Sequence, residues 1–119
     1  MTEQRDILLV PFPFSDQSGK KVRPVIVISN NEFNQYSDDV IVVGVTSNIS
    51  KSEYSLSLTD KDLDEGVFSV KCCAKVESVL KLDKELVIKK IGRINKEALA
   101  NIIKNLLKIV SWRKNNKLT

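Results

Sequence analysis

The chain is constrained most by a series of short β-branched apolar runs separated by polar segments. Ile7 to Val10, Val25 to Ile28 and Val40 to Val45 all fall in the first part of the sequence. β-Branched side chains lose rotamer freedom in a helix and pack well on a pleated surface, so these runs predict strands at about 7–10, 24–29 and 40–46. Pro11 and Pro13 lack ladder donors and are expected to end the first strand. Residues 15–22, with Ser, Asp, Gln, Gly and Lys, and the polar residues 30–39 read as turns or loops, which leaves the second and third strands at the centre of a sheet.

The middle of the chain continues in the same style. Residues 54–58 alternate polar and apolar, as a half-buried strand does, and 59–66 form an acidic turn. Strand material follows at 67–70 and 72–82, with Val76, Leu80 and Leu82 on alternate positions, and a last strand is expected at 87–94. The periodicity then changes. Asn95 stands where an N-cap belongs, Glu97 suits the helix dipole, and Leu99, Ile102, Ile103, Leu106, Leu107 and Val110 recur at helical spacing. This predicts a helix over about 96–112 and a frayed basic tail beyond it. With 119 residues, 42% of them hydrophobic, the expectation is a single domain over 1–119. It is mainly β with a C-terminal helix, folded as a small, strongly bent β-barrel.

Composition narrows the chemistry. The chain has no histidine, which removes imidazole acid–base catalysis, Ser-His and Cys-His nucleophile pairs and histidine zinc sites. Cys72 and Cys73 are adjacent, so they cannot staple distant segments or supply four thiolates; they read as small buried residues in a reducing compartment. The four glycines form neither a dinucleotide fingerprint nor a phosphate loop. Asp60, Asp62, Asp64 and Glu65 read as a solvated turn rather than a calcium loop. No run is long enough for a membrane span and residues 1–6 are not a signal core, so a cytoplasmic protein is expected. A net charge of +4 permits an anionic partner without demanding one.

Two local patterns carry possible function. Arg23 precedes Pro24, which holds it in extended geometry at a strand start and aims its side chain. An ion pair at a sheet margin is the commoner role for such an arginine, and a phosphate fork is the alternative. Thr46, Ser47 and Asn48 end an apolar run; they suit either a hydrogen-bonding site or the ordinary backbone bonding of a strand end.

Taken together, residues 5–14, 22–30 and 45–49 resemble the consecutive signature strands of MazF/PemK-family toxins of type II toxin–antitoxin systems. Leu82-Asp83-Lys84 resembles the family's short turn before its last strands, and the terminal helix follows in order. The resemblance implies an SH3-like β-barrel of the CcdB/MazF type, usually a symmetric homodimer. Such a protein cleaves single-stranded RNA at short sequences without metal or other cofactor, and a cognate antitoxin blocks it. Carried over by position, Arg23 and Thr46 match the catalytic arginine and threonine, and residues 15–22 match the mobile connection over the RNA site. Lys20 and Lys21 suit phosphates, and Gln17, Ser47 and Asn48 suit base edges. Asp6 and Glu77 are candidate bases by chemistry alone. Arg5 stands where members commonly have glycine, a change that fits ordinary extended backbone and would crowd or recharge the groove. Ser78 and Leu80 are further departures. The rival readings are a CcdB-like gyrase poison acting through the terminal helix, with Trp112 in its favour, and a catalytically silent barrel that binds nucleic acid or antitoxin.

Overall fold

The computed structural model describes residues 1–12, 21–48 and 53–112. Seven strands form one antiparallel sheet: β1 (Asp6–Phe12), β2 (Lys21–Val27), β3 (Asp39–Thr46), β4 (Leu56–Leu58), β5 (Leu63–Glu65), β6 (Cys72–Asp83) and β7 (Lys89–Ile94). Their order is β4-β6-β3-β2-β1-β7-β5, with β2 in the middle beside β3, as expected. Two α-helices, α1 (Asn31–Tyr36) and α2 (Lys96–Val110), and two 3-10 turns (Asp60–Asp62 and Lys84–Leu86) complete the described elements. The barrel takes the form of a curled half-barrel whose edge strands β4 and β5 are not paired to each other.

Strand alternation sorts the apolar residues onto two faces. Ile7, Ile26, Val43, Val45, Ala74, Val76 and Ile94 form one buried cluster, which α2 covers with Ala98 and Ile102. Leu8, Val10, Val25, Val27, Val40, Val42 and Leu82 form the other, with Leu80, Leu86 and Val87 packed against it. α2 begins as its sequence predicts: the Asn95 side chain accepts from the Ala98 N–H at 2.8 Å. It ends two residues earlier than expected, at Val110.

Several expectations are corrected. β1 runs through Pro11, which lies opposite Val22 of β2. The β1–β7 ladder ends at Leu9↔Lys89, so Pro11 sits where β1 is an edge on that side and no donor is missed. The segment 30–39 contains α1, capped by Asn30, whose side chain accepts from the Phe33 N–H at 2.8 Å; a six-residue helix is too short to show a periodic pattern. The acidic segment after Thr59 holds a 3-10 turn (Asp60–Asp62) and then β5. Residues 67–70 are not a strand, and Val67 and Val70 are 78% and 61% exposed.

The largest departure is in β6. Val43 pairs with Val79, but the next residue of β3, Gly44, pairs with Lys75, so residues 76–78 form a bulge. The bulge flips the alternation, placing Val76 in one cluster and Leu80 and Leu82 in the other.

Candidate functional site

At one end of the sheet the β2–β3 ladder runs from Val27↔Val42 to Val25↔Gly44. It stops at Pro24, which has no N–H to donate. Continuing the antiparallel register places Arg23 opposite Thr46 on the face that also carries Val25, Gly44 and Val42. β6 continues this surface on the far side of β3, with Lys75 directly opposite Gly44.

These residues enclose a groove of about 280 Å³. Arg23 and Lys75 supply its cations, Thr46 and Ser78 its hydroxyls, and Pro24, Val25, Gly44, Val45 and Leu80 the rest of its lining. Gly44 leaves the groove open between the two cationic strands: a Cβ there would lie 3.5 Å from the Ser78 Cβ. The Thr46 Oγ1 accepts the Asn48 N–H at 3.0 Å. A hydroxyl can accept and donate together, so this bond orients Thr46 and still leaves its O–H able to donate. The arrangement is chemically suited to an oxyanion: a guanidinium fork, an ammonium point charge and oriented hydroxyls along one concavity.

A second groove of about 300 Å³ shares Arg23, Pro24 and Val45 with the first. Val22, Val67, Phe68, Val70 and Ile91 make it mainly apolar, and Ser47, Ser69 and Cys72 complete it. Burial pushes the Cys72 thiol up to about 11, helped by neighbouring Cys73 and Asp60. It therefore stays protonated at neutral pH, as a packing residue rather than a nucleophile.

The sequence pattern of the family described as "PemK-like, MazF-like toxin of type II toxin-antitoxin system" matches residues 3–110. The chain belongs to that family. The fold agrees with several solved structures of the same kind. An endoribonuclease in complex with its cognate antitoxin, from a mycobacterial species, superimposes with a TM-score of 0.71 at 14% identity, covering 95% of this chain and 100% of the other. MazF in a MazE–MazF crystal structure from Deinococcus radiodurans gives 0.76 at 16% identity, covering 94% and 98%. Among curated proteins, none matches the chain by sequence.

In this PemK/MazF-like chain the structure brings Arg23 and Thr46 into one groove. Ser47 lines the second groove instead. Asn48 acts on Thr46 through its backbone, and Lys21 is exposed on β2 two residues before Arg23. Gln17, Lys20 and most of the 15–22 connection lie outside the described residues, as do Pro13, Phe14 and the tail from residue 113. Nothing in the sequence pattern marks Lys75 and Ser78 as lining this groove. In a strand pattern Lys75 looks like any solvent-facing lysine, and the bulge that turns Ser78 into the groove has no local signature.

The candidate bases separate. Asp6 lies four residues from Val10, the β1 partner of Arg23, about 13 Å along the strand, and is held in an ion-pair cluster there. Glu77 is on the exposed part of the bulge between Lys75 and Ser78. Arg5 has φ 82° rather than extended geometry. Its guanidinium bonds to the Asp64 Oδ2 at 2.8 Å and the Ile94 carbonyl at 2.9 Å, so it neither crowds nor recharges the groove.

Proposed function

We propose that this toxin is an endoribonuclease that cuts single-stranded messenger RNA at short sequences. The observation that carries the reading is the placement of Arg23 across from Thr46 in one groove. In the proposed step the 2′-hydroxyl attacks the adjacent phosphorus. The P–O2′ bond forms as the 2′-hydroxyl proton passes to solvent water, and the P–O5′ bond breaks as the departing oxygen takes a proton from Arg23, which water restores; a 2′,3′-cyclic phosphate and a 5′-hydroxyl are left, with no metal or cofactor required.

Charge builds on the non-bridging oxygens as the phosphorane forms, and preorganised donors lower its energy. Arg23 supplies the fixed positive fork for those oxygens and a proton for the departing 5′ oxygen. A guanidinium carries five N–H donors and no acceptor, which suits it to these roles and not to that of base. Thr46 and the backbone donors beside it hold a non-bridging oxygen. Lys21, Lys20, Gln17, Ser47 and Asn48 are proposed to contact the RNA on either side.

The partners proposed are a second copy of the chain and a cognate antitoxin; an endoribonuclease of this fold is solved with its own antitoxin. The exposed apolar residues Val22, Val67 and Val70 around the second groove favour a protein partner there. Among the described residues no helix is long and apolar enough to cross a membrane, which fits a cytoplasmic site of action.

The test is cleavage of a long single-stranded RNA in excess chelator by wild type, Arg23→Ala and Thr46→Val, with product ends identified. Chelator-resistant cuts with 5′-hydroxyl ends, reduced about 100-fold or more in each folded variant, are expected. RNA left intact by wild type, or cut equally well by the variants, overturns the reading.

A further inference from the structure

We infer that Lys75 is a phosphate-binding residue of this groove, holding the RNA backbone at a different phosphate from the one at Arg23. The inference rests on the proposed RNA-cleaving function and adds to it a residue from a different strand.

Arg23 and Lys75 rise from β2 and β6, the two neighbours of β3. Two strand spacings separate them by about 10 Å across the sheet. Arg23 lies opposite Thr46 and Lys75 opposite Gly44, an offset of two residues, or about 7 Å, along β3. The cations are thus displaced diagonally along one groove instead of stacked on one point, and Gly44 puts no side chain between them. A single small anion needs only one of them. A chain of phosphates passing over Gly44 meets both, with the Ser78 hydroxyl beside Lys75.

Among the described residues Lys75 makes no ion pair, and it is exposed. Its charge is not used to hold the fold. A lysine ammonium is a hydrated point charge without the planar fork that reads base edges, so its contribution is to backbone affinity and not to sequence choice.

The experiment measures binding of the full chain to a mixed-sequence, 2′-O-methyl single-stranded RNA, which cannot undergo 2′ attack, over a range of salt concentrations. Lys75→Gln and Lys75→Arg are compared with wild type, and Lys104→Gln on exposed α2 serves as a charge control. Losing one phosphate contact to a single strand lowers the slope of log affinity against log salt by about 0.7. That decrease is expected in Lys75→Gln, with Lys75→Arg and Lys104→Gln keeping the wild-type slope. Wild-type binding with an unchanged slope in Lys75→Gln overturns this inference alone. An equal decrease in Lys104→Gln or in Lys75→Arg also overturns it, because the effect would then not be local charge at this strand position. No binding by wild type overturns the RNA reading itself.

Discussion

Asp6 accepts from Arg93 twice through one oxygen, from Nε at 3.2 Å and from Nη2 at 3.1 Å. Its other oxygen accepts the Glu3 N–H at 2.9 Å, and the Lys90 ammonium lies 3.5 Å from Oδ1. Asp6 is only 1% exposed. A buried carboxylate enclosed in this way ties the start of β1 to β7, and the hydrogen bonds to Glu3 and Asp6 raise the affinity of Arg93 for its own proton.

Removing the Asp6 carboxylate leaves the Glu3 N–H without its acceptor, while Arg93 keeps Glu3 and Lys90 keeps Glu65. Asp6→Ala is expected to cost about 1–3 kcal/mol in urea denaturation. Asp6→Asn, which keeps the shape and some of the bonds, should cost less and, where folded, should cut RNA at the wild-type rate. A specific loss of cleavage in folded Asp6→Asn would restore this residue as a candidate base.

Arg5 occupies a left-handed backbone conformation that disfavours any residue with a Cβ. Its N–H donates to the Val27 carbonyl and its own carbonyl accepts from the Ile94 N–H, both at 2.9 Å, so tertiary bonds on each side hold the conformation. Arg5→Ala loses the guanidinium bonds and keeps the strain; Arg5→Gly loses the bonds and relieves it. Arg5→Gly is therefore expected to be more stable than Arg5→Ala by about 1 kcal/mol, as compared by denaturation midpoints.

The raised pKa of Cys72 makes stability depend on alkaline pH. An unfolded thiol ionises near 9, whereas burial holds the folded one to about 11. The contribution is fully present below pH 9 and is lost as pH rises towards 11, since only the unfolded state releases its proton in that window. Denaturation midpoints at pH 8 and pH 10.5 should show a smaller alkaline loss in Cys72→Val than in wild type. An equal loss would place the titrating group elsewhere.

Gly44 tests the groove directly. Among the described residues a Cβ meets only the Ser78 Cβ, at 3.5 Å, an ordinary contact, so Gly44→Ala should fold with wild-type stability or slightly better. A larger Gly44→Leu side chain would fill the space between Arg23 and Lys75. It should reduce RNA cleavage by on the order of 10-fold to 100-fold through misplacement of the substrate. Full activity in folded Gly44→Leu would show that RNA does not pass over this position.

The β-branched runs were legible because strand preference and alternating burial are local properties, and the same holds for the Asn95 cap and the apolar stripe of α2. The family likeness likewise rests on contiguous residues, and Arg23 and Thr46 came with it. α1 has no local signature because its stability comes from tertiary bonds: the buried Asn34 side chain donates to the Ser29 carbonyl at 2.9 Å, and the Ser29 hydroxyl accepts from the Ile41 N–H at 3.0 Å. Residues 67–70 look like a strand by composition but pair with no strand among the described residues.

What the sequence determined by itself was the class of fold, the family and the strand ends that carry Arg23 and Thr46, because each is encoded in a short stretch of chain. Only the tertiary structure decided the face on which each half of β6 lies, the removal of Asp6 from the groove and the arrival of Lys75 and Ser78 within it. Those outcomes depend on register between strands distant in sequence. A shift of one residue in that register reverses every side chain, and the three-residue bulge opposite Val43 and Gly44 leaves no trace in local composition.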